Sequence, residues 1–312
     1  MPAIYTEIPD NYCEIETSVI SDIHEIKETF FRAETVLFYD ACSFQRHANL
    51  AEKEKGILLH YYAEHGIAVF VTRCILMELA GDRHRLLDQY VAFIKNLQCA
   101  HVKVVLFDEE YTYSILSECF STIDTVNGYL MWAVRMVKTP VSTIAETIKA
   151  DERLNSEVYE GRNLKASDLY QRFFSSVRGN KEHEDNLGEE LIAVCTHILS
   201  HLPGIPDGKI CVMTDEKGAA GKIDSVMRRT NSQNRGSRVI LFSTPKLVQH
   251  MYQERVEMSE DEMVNIISQG TSENVVVMGI TAYDLEVDRN ISMSCRTLVK
   301  KIMEPNGIQI VF

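Results

Sequence analysis

No two cysteines in this chain stand in a C-x-x-C pair; the eight are scattered at 13, 42, 74, 99, 119, 195, 211 and 295. That absence removes the usual zinc-ribbon and redox-dithiol patterns. Most of the cysteines sit inside apolar stretches, where a free thiol behaves as a small buried hydrophobe, and the expectation is a reducing, cytoplasmic setting. Basic residues are also short, with 32 Lys and Arg against 45 Asp and Glu, a formal charge of −13. A general nucleic-acid coating protein is thereby disfavoured, since such binding rests on neutralising phosphates. Missing too is any apolar run near the roughly 18 to 20 residues that span a bilayer. The start, Met1 to Glu7, carries no basic segment followed by a hydrophobic one, so no signal peptide is expected.

What the chain does have is an ordinary apolar share, 45%, enough for a sizeable core. Five short runs rich in β-branched or aromatic residues predict buried parallel strands: Val36–Tyr39, Ile67–Val71, Val102–Phe107, Ile210–Met213 and Val239–Phe242. Helical patterns separate them, the signature of a doubly wound α/β sheet. The gap after the third run is too long for one crossover, and residues 108 to about 187 read as a helical insertion. Beyond residue 250, Ser259 and the acids after it suit a helix start. Strand-like runs at Val275–Met278 and Ile308–Phe312 flank a helical stretch near Leu298–Met303. Residues 251–312 therefore form a C-terminal extension that either lengthens the sheet or stands as a small appendage.

In open α/β sheets, sites form at the carboxyl ends of the strands, where strand order reverses. The first strand ends in Asp40 and the fourth in Thr214-Asp215-Glu216. A carboxylate just past a buried strand needs solvent, hydrogen bonds or a cation. Glu78 lies on a helix that runs from an N-cap at Thr72 to Gly81, sharing a face with apolar Cys74 and Ile75. Its partner is either a cation such as Arg73 or Arg83, or a metal. Glu189 and Glu190 open a helix over Gly188–Leu202, a place that the helix dipole favours for acids in any case. A basic strip between Lys217 and Lys246 holds Lys217, Lys222, Arg228, Arg229, Arg235, Arg238 and Lys246 against a single acid, Asp224. It is either a solvated loop or a substrate-binding strip.

The succession VLFYDACSF (36–44), VTRCILMELAG (71–81), GEELIAV (188–194), VMTDEKGAAGKI (212–223) and VILFSTPKL (239–247) resembles the PIN-domain family of nucleases. The resemblance covers about residues 34 to 250 without the insertion. It implies a sheet in the order 3-2-1-4-5 and a nuclease domain over 1–250. It also implies an acidic site for Mg²⁺ or Mn²⁺ that leaves 3′-hydroxyl and 5′-phosphate ends. Asp40 matches the family's first acid, Glu78 the second, and Glu189 the third with Glu190 as fallback. The fourth falls at Glu216, where the family has Asp, with Asp215 beside it. Ser43 and Thr214 occupy places where the family often has small hydroxyl residues. With Lys217, Arg228 and Arg229 they are the substrate-binding candidates. The acids closing the third strand, Asp108, Glu109 and Glu110, would lie at the sheet edge, away from the site.

The expected activity is a metal-dependent endoribonuclease, with RNA as partner, no membrane partner, and a second copy or a regulatory protein as further candidates. Two other classes compete: a catalytically silent PIN-like scaffold that binds RNA or protein, and a phosphohydrolase acting on small phosphorylated molecules. Other motifs fall short. Gly218-Ala219-Ala220-Gly221-Lys222 lacks the phosphate-loop spacing. His197 and His201 lack the Glu of H-E-x-x-H and are expected to be partly buried or surface residues, with Trp132 in the core.

Overall fold

The five apolar runs become the strands of one parallel sheet in a computed structural model, which describes residues 5–137, 142–182, 185–228, 236–269, 274–281 and 290–312. At its centre β1 (Thr35–Tyr39) pairs with β2 (Ile67–Thr72) on one side. On its other side β1 pairs with β4 (Ile210–Met213). The edges are β3 (Val104–Phe107), outside β2, and β5 (Ile240–Phe242), outside β4. The order is 3-2-1-4-5, as expected. Strands β1 to β4 are buried almost throughout, whereas edge strand β5 is half-buried. Continuous apolar runs are what a sheet covered on both faces requires. Phe38, Phe70 and Phe107 meet across three strands with ring centroids 5.3 to 5.6 Å apart. Each such burial contributes about 1.5–3 kcal/mol.

The helices fill the connections. Helix α1 (Ile23–Arg32) precedes β1; α2 (Ala41–Ala48) and α3 (Glu52–Glu64) lead to β2. Helices α4 (Arg73–Ala80) and α5 (Asp88–Cys99) lead to β3. Thr72 Oγ1 accepts from Ile75 N at 3.3 Å, and Gly81 ends α4 at φ +61°, a conformation that favours glycine. The long connection after β3 is helical: α6 (Tyr111–Leu116), α7 (Ile123–Met136), α8 (Thr143–Ala150), α9 (Glu152–Leu154) and α10 (Leu169–Gly179). Helix α11 (Leu187–Ser200) then returns the chain to β4; α12 (Lys217–Arg228) and α13 (Thr244–Gln253) follow β4 and β5.

The C-terminal stretch forms its own sheet rather than lengthening the first. Strand β6 (Asn274–Ile280) lies between β7 (Asn290–Ser294) and β8 (Gln309–Ile310), all antiparallel, with α14 (Glu260–Ser268) and α15 (Cys295–Met303) beside it. Ser259 caps α14 in a reciprocal capping box with Glu262. Helix α14 is tied to α3 by Lys53–Glu262 at 2.7 Å and by Asn265 Nδ2 donating to Glu54 at 2.7 Å. Gln249 on α13 bonds the backbone of Ile308 and Ile310, at 2.7 and 2.8 Å. Among the described residues no helix is long and apolar enough to cross a membrane.

Candidate metal centre

Strand β1 has β2 on one side and β4 on the other, so chain direction across the sheet reverses at the β1/β4 pair. A crevice opens past the carboxyl ends of such a pair because the flanking connections leave in opposite directions. Asp40 and Glu216 stand there, one directly after β1 and the other three residues after Met213. The first turn of α11 brings Glu189 to the same place. Asp40, Glu189 and Glu216 can each put one carboxylate oxygen within 4.8 Å of the other two; among the described residues this is the one group with metal-ligand spacing.

Asp40 is 3% exposed and serves as N-cap of α2. It accepts from Ala41 N at 2.7 Å, and from Cys42 Sγ and Thr214 Oγ1 at 2.9 Å each. Burial pushes its carboxyl above the usual range; these three hydrogen bonds oppose the shift and the charge of Glu216 adds to it. Glu189 is also buried, while Glu216 is exposed. Among the described side chains no Lys or Arg forms an ion pair with Asp40 or Glu216. The donor set is three carboxylates with room for water at the exposed rim. Hard oxygen donors of that kind fit Mg²⁺ or Mn²⁺ and suit zinc or copper less well.

The remaining candidates have other partners. Asp215 is side-chain buried and structural: it accepts from Thr244 N at 2.7 Å, Thr244 Oγ1 at 2.6 Å and Ser43 Oγ at 2.9 Å, and pairs with Arg46 at 3.2 Å. Of the two neighbours, then, Glu216 faces the cluster. Ser43 is fully buried and meets Asp215 rather than open space, whereas Thr214 holds Asp40 directly. Glu190 turns away from Asp40 to cap α8, accepting from Ser142 Oγ at 2.9 Å and Ile144 N at 3.2 Å. Adjacent helical positions point about 100° apart, so only one of Glu189 and Glu190 can face the cleft. Lys217 donates to Asn290 Oδ1 at 3.0 Å, joining α12 to the C-terminal sheet. The Arg228 side chain, Arg229 and Arg235 lie outside the described residues.

Glu78 has a cation partner, but neither Arg73 nor Arg83. It is Lys181, from the chain just after α10, at 3.0 Å. Burial pushes the Glu78 carboxyl up to about 7; Lys181 opposes that shift, and Asp40 and Asp185 add to it. Gly188 at the head of α11 leaves space for this carboxylate. A Cβ there would sit 2.7 and 2.8 Å from its two oxygens. Sequence reasoning missed Lys181 because its partner lies about a hundred residues away, and no local pattern marks such a pair.

A second feature missed in sequence stands behind Asp215. Tyr62 meets Tyr39 at 2.6 Å, Tyr39 meets His47 Nδ1 at 2.8 Å, and His47 Nε2 meets Thr244 Oγ1 at 3.0 Å. Thr244 gives its proton to the Asp215 carboxylate, so His47 Nε2 must donate and Nδ1 must accept from Tyr39. Burial lowers the His47 pKa to about 4, which keeps the ring neutral at pH 7. Elsewhere, His201 Nδ1 donates to the His197 carbonyl at 2.7 Å, and both rings pack on Trp132 with centroids 4.8 and 4.5 Å away. Trp132 is half-buried, not a core residue, because it covers these histidines from the rim.

Two of the third-strand acids, Asp108 and Glu109, belong to a separate ion-pair cluster. Asp108 pairs with Arg73 at 2.6 Å and Arg178 at 3.0 Å; Glu109 pairs with Arg178 at 2.7 Å and accepts from Cys74 N at 2.8 Å. Compared with known proteins, the chain matches no family model, no curated protein and no solved structure.

Proposed function

We propose that this chain is a metal-dependent nuclease of the PIN-like type, an endoribonuclease first, with Asp40, Glu189 and Glu216 holding Mg²⁺ or Mn²⁺. The observation that carries the reading is the convergence of three carboxylates from three separate stretches of chain at the switch point of the sheet. Like charges held that close repel one another and favour a cation among them. Bound there, the ion would make a water more acidic and offset charge on a phosphodiester in the transition state.

The chain's own residues do the rest. Thr214 and Cys42 hold the Asp40 carboxylate by its Oδ2, and Ala41 N holds Oδ1, so that group cannot swing away. Asp215 fastens the β4 end to α2 and α13, which sets the direction of Glu216 one residue later. A cleft along α12, the helix that follows Glu216, is lined by Lys217, Arg238 and Lys246 together with Asp207 and Asp224, and its three cations offer contacts to a polyanion on an otherwise acidic protein.

The test is cleavage of labelled RNA and DNA oligonucleotides with Mn²⁺, with and without chelator. The expected result is cutting of RNA that chelator abolishes, leaving 3′-hydroxyl and 5′-phosphate ends. Asp40→Asn should lower the rate by orders of magnitude, with an unchanged or higher Tm in the metal-free protein. Undiminished cleavage by that variant contradicts the assignment. Retention of RNA without cleavage would point instead to a silent scaffold.

A further inference from the structure

We propose that the acidic cleft takes one divalent cation and not two, because Lys181 already holds the place beside Glu78 that a second ion would need. The inference rests on the metal-dependent reading above and narrows it.

Lys181 follows α10, in the stretch inserted between β3 and α11, and its side chain is 3% exposed. Its ammonium lies 3.0 Å from Glu78 Oε1, forms an ion pair with Asp185, and stands 5.3 Å from the centre of the Tyr5 ring. Burial disfavours the charged lysine, but Glu78 and Asp185 outweigh that, and its pKa rises above the ordinary value. The charge is therefore a permanent part of the fold rather than a mobile surface group.

Two halves of the cleft differ in this respect. Asp40, Glu189 and Glu216 bring three carboxylates to one point, and among the described side chains no Lys or Arg pairs with Asp40 or Glu216. Glu78 and Asp185 bring two, with a lysine bound to both. A dication at Glu78 would be repelled by the ammonium and would have to displace it into a buried space. On the side of α11 the Glu78 carboxylate has little room, since a Cβ on Gly188 would come within 2.7 and 2.8 Å of its two oxygens. The lysine, a fixed monocation, thus replaces a second metal in lowering the negative charge near Asp40.

Counting bound Mn²⁺ on the full chain tests this, using electron paramagnetic resonance of the free ion during a titration. The wild type should bind one equivalent and give an isolated-ion signal. Lys181→Met should gain a second, weaker equivalent, while Lys181→Arg stays at one. Two equivalents on the wild type, or a magnetically coupled pair of ions, overturn the inference without need of any variant. One equivalent on a folded Lys181→Met overturns it as well, since the lysine is then not what excludes the second ion. Zero equivalents on the wild type remove the metal reading itself, a separate and recognisable failure.

Discussion

Two places along the carboxyl edge of the same sheet carry buried acids, and they are treated in opposite ways. Past β3, Asp108 and Glu109 are closed off by Arg73 and Arg178, with every charge answered by a guanidinium within about hydrogen-bonding distance. Past β1 and β4, Asp40 is buried to a similar degree but meets only a thiol, a hydroxyl and an amide. The first arrangement is complete as it stands. The second is costly as it stands; burial raises the carboxyl pKa of Asp40 as it does that of Glu109, but only Glu109 has an arginine to oppose the shift. The difference teaches that a strand-end acid is diagnostic through its partners, not through its position.

The largest effect expected from breaking this comparison is on the closed side. Arg178→Ala leaves Asp108 and Glu109 with one cation fewer in a buried site, which costs about 3–5 kcal/mol. Chemical denaturation should show that loss with Mn²⁺ binding unchanged wherever the protein remains folded. Next come the neighbours Asp215 and Glu216. Asp215→Asn should lower stability by about 1–3 kcal/mol, because it strips charge from a buried acceptor of three donors. Glu216→Gln should leave stability nearly untouched and weaken Mn²⁺ binding; calorimetry on the pair separates structure from site. A reversal of the two outcomes would exchange their roles.

A similar but narrower effect is expected at the contact between α4 and α11. Gly188→Ala puts a methyl group about 2.7 Å from Glu78 Oε1, and the overpacking should cost about 1–3 kcal/mol. The smallest effect concerns pH. His47 is depressed from 6.5 to about 4, so its contribution to stability is full above pH 6.5 and is lost as pH falls towards 4. Raised carboxyls such as Glu78 act in the opposite sense over part of that window, so the useful quantity is a difference. His47→Gln should flatten the fall of stability with acid by about one proton relative to wild type.

The sheet was legible because a strand buried on both faces must be apolar through its interior, and β1, β2 and β4 obey that rule apart from Thr35 at the start of β1 and Thr72 at the end of β2. Strand β7, reading Asn-Ile-Ser-Met-Ser, was not, since its pairing with β6 compensates for polar residues that carry no strand signal. Asp40 could be found because it directly follows a buried strand. The choice between Asp215 and Glu216 could not, because it depends on Thr244 and Ser43, which only the fold brings near. Nor could the choice of Glu189 over Glu190 be made firmly, since both suit a helix start. Lys181 illustrates the same limit: a lysine in a polar turn looks like any surface charge until the chain closes over it.

Anomalous diffraction at the manganese edge, from crystals soaked in Mn²⁺, tests the central claim most directly. The account predicts a single peak within coordination distance of Asp40, Glu189 and Glu216, with none beside Lys181. A peak elsewhere, or no peak at saturating Mn²⁺, would contradict it.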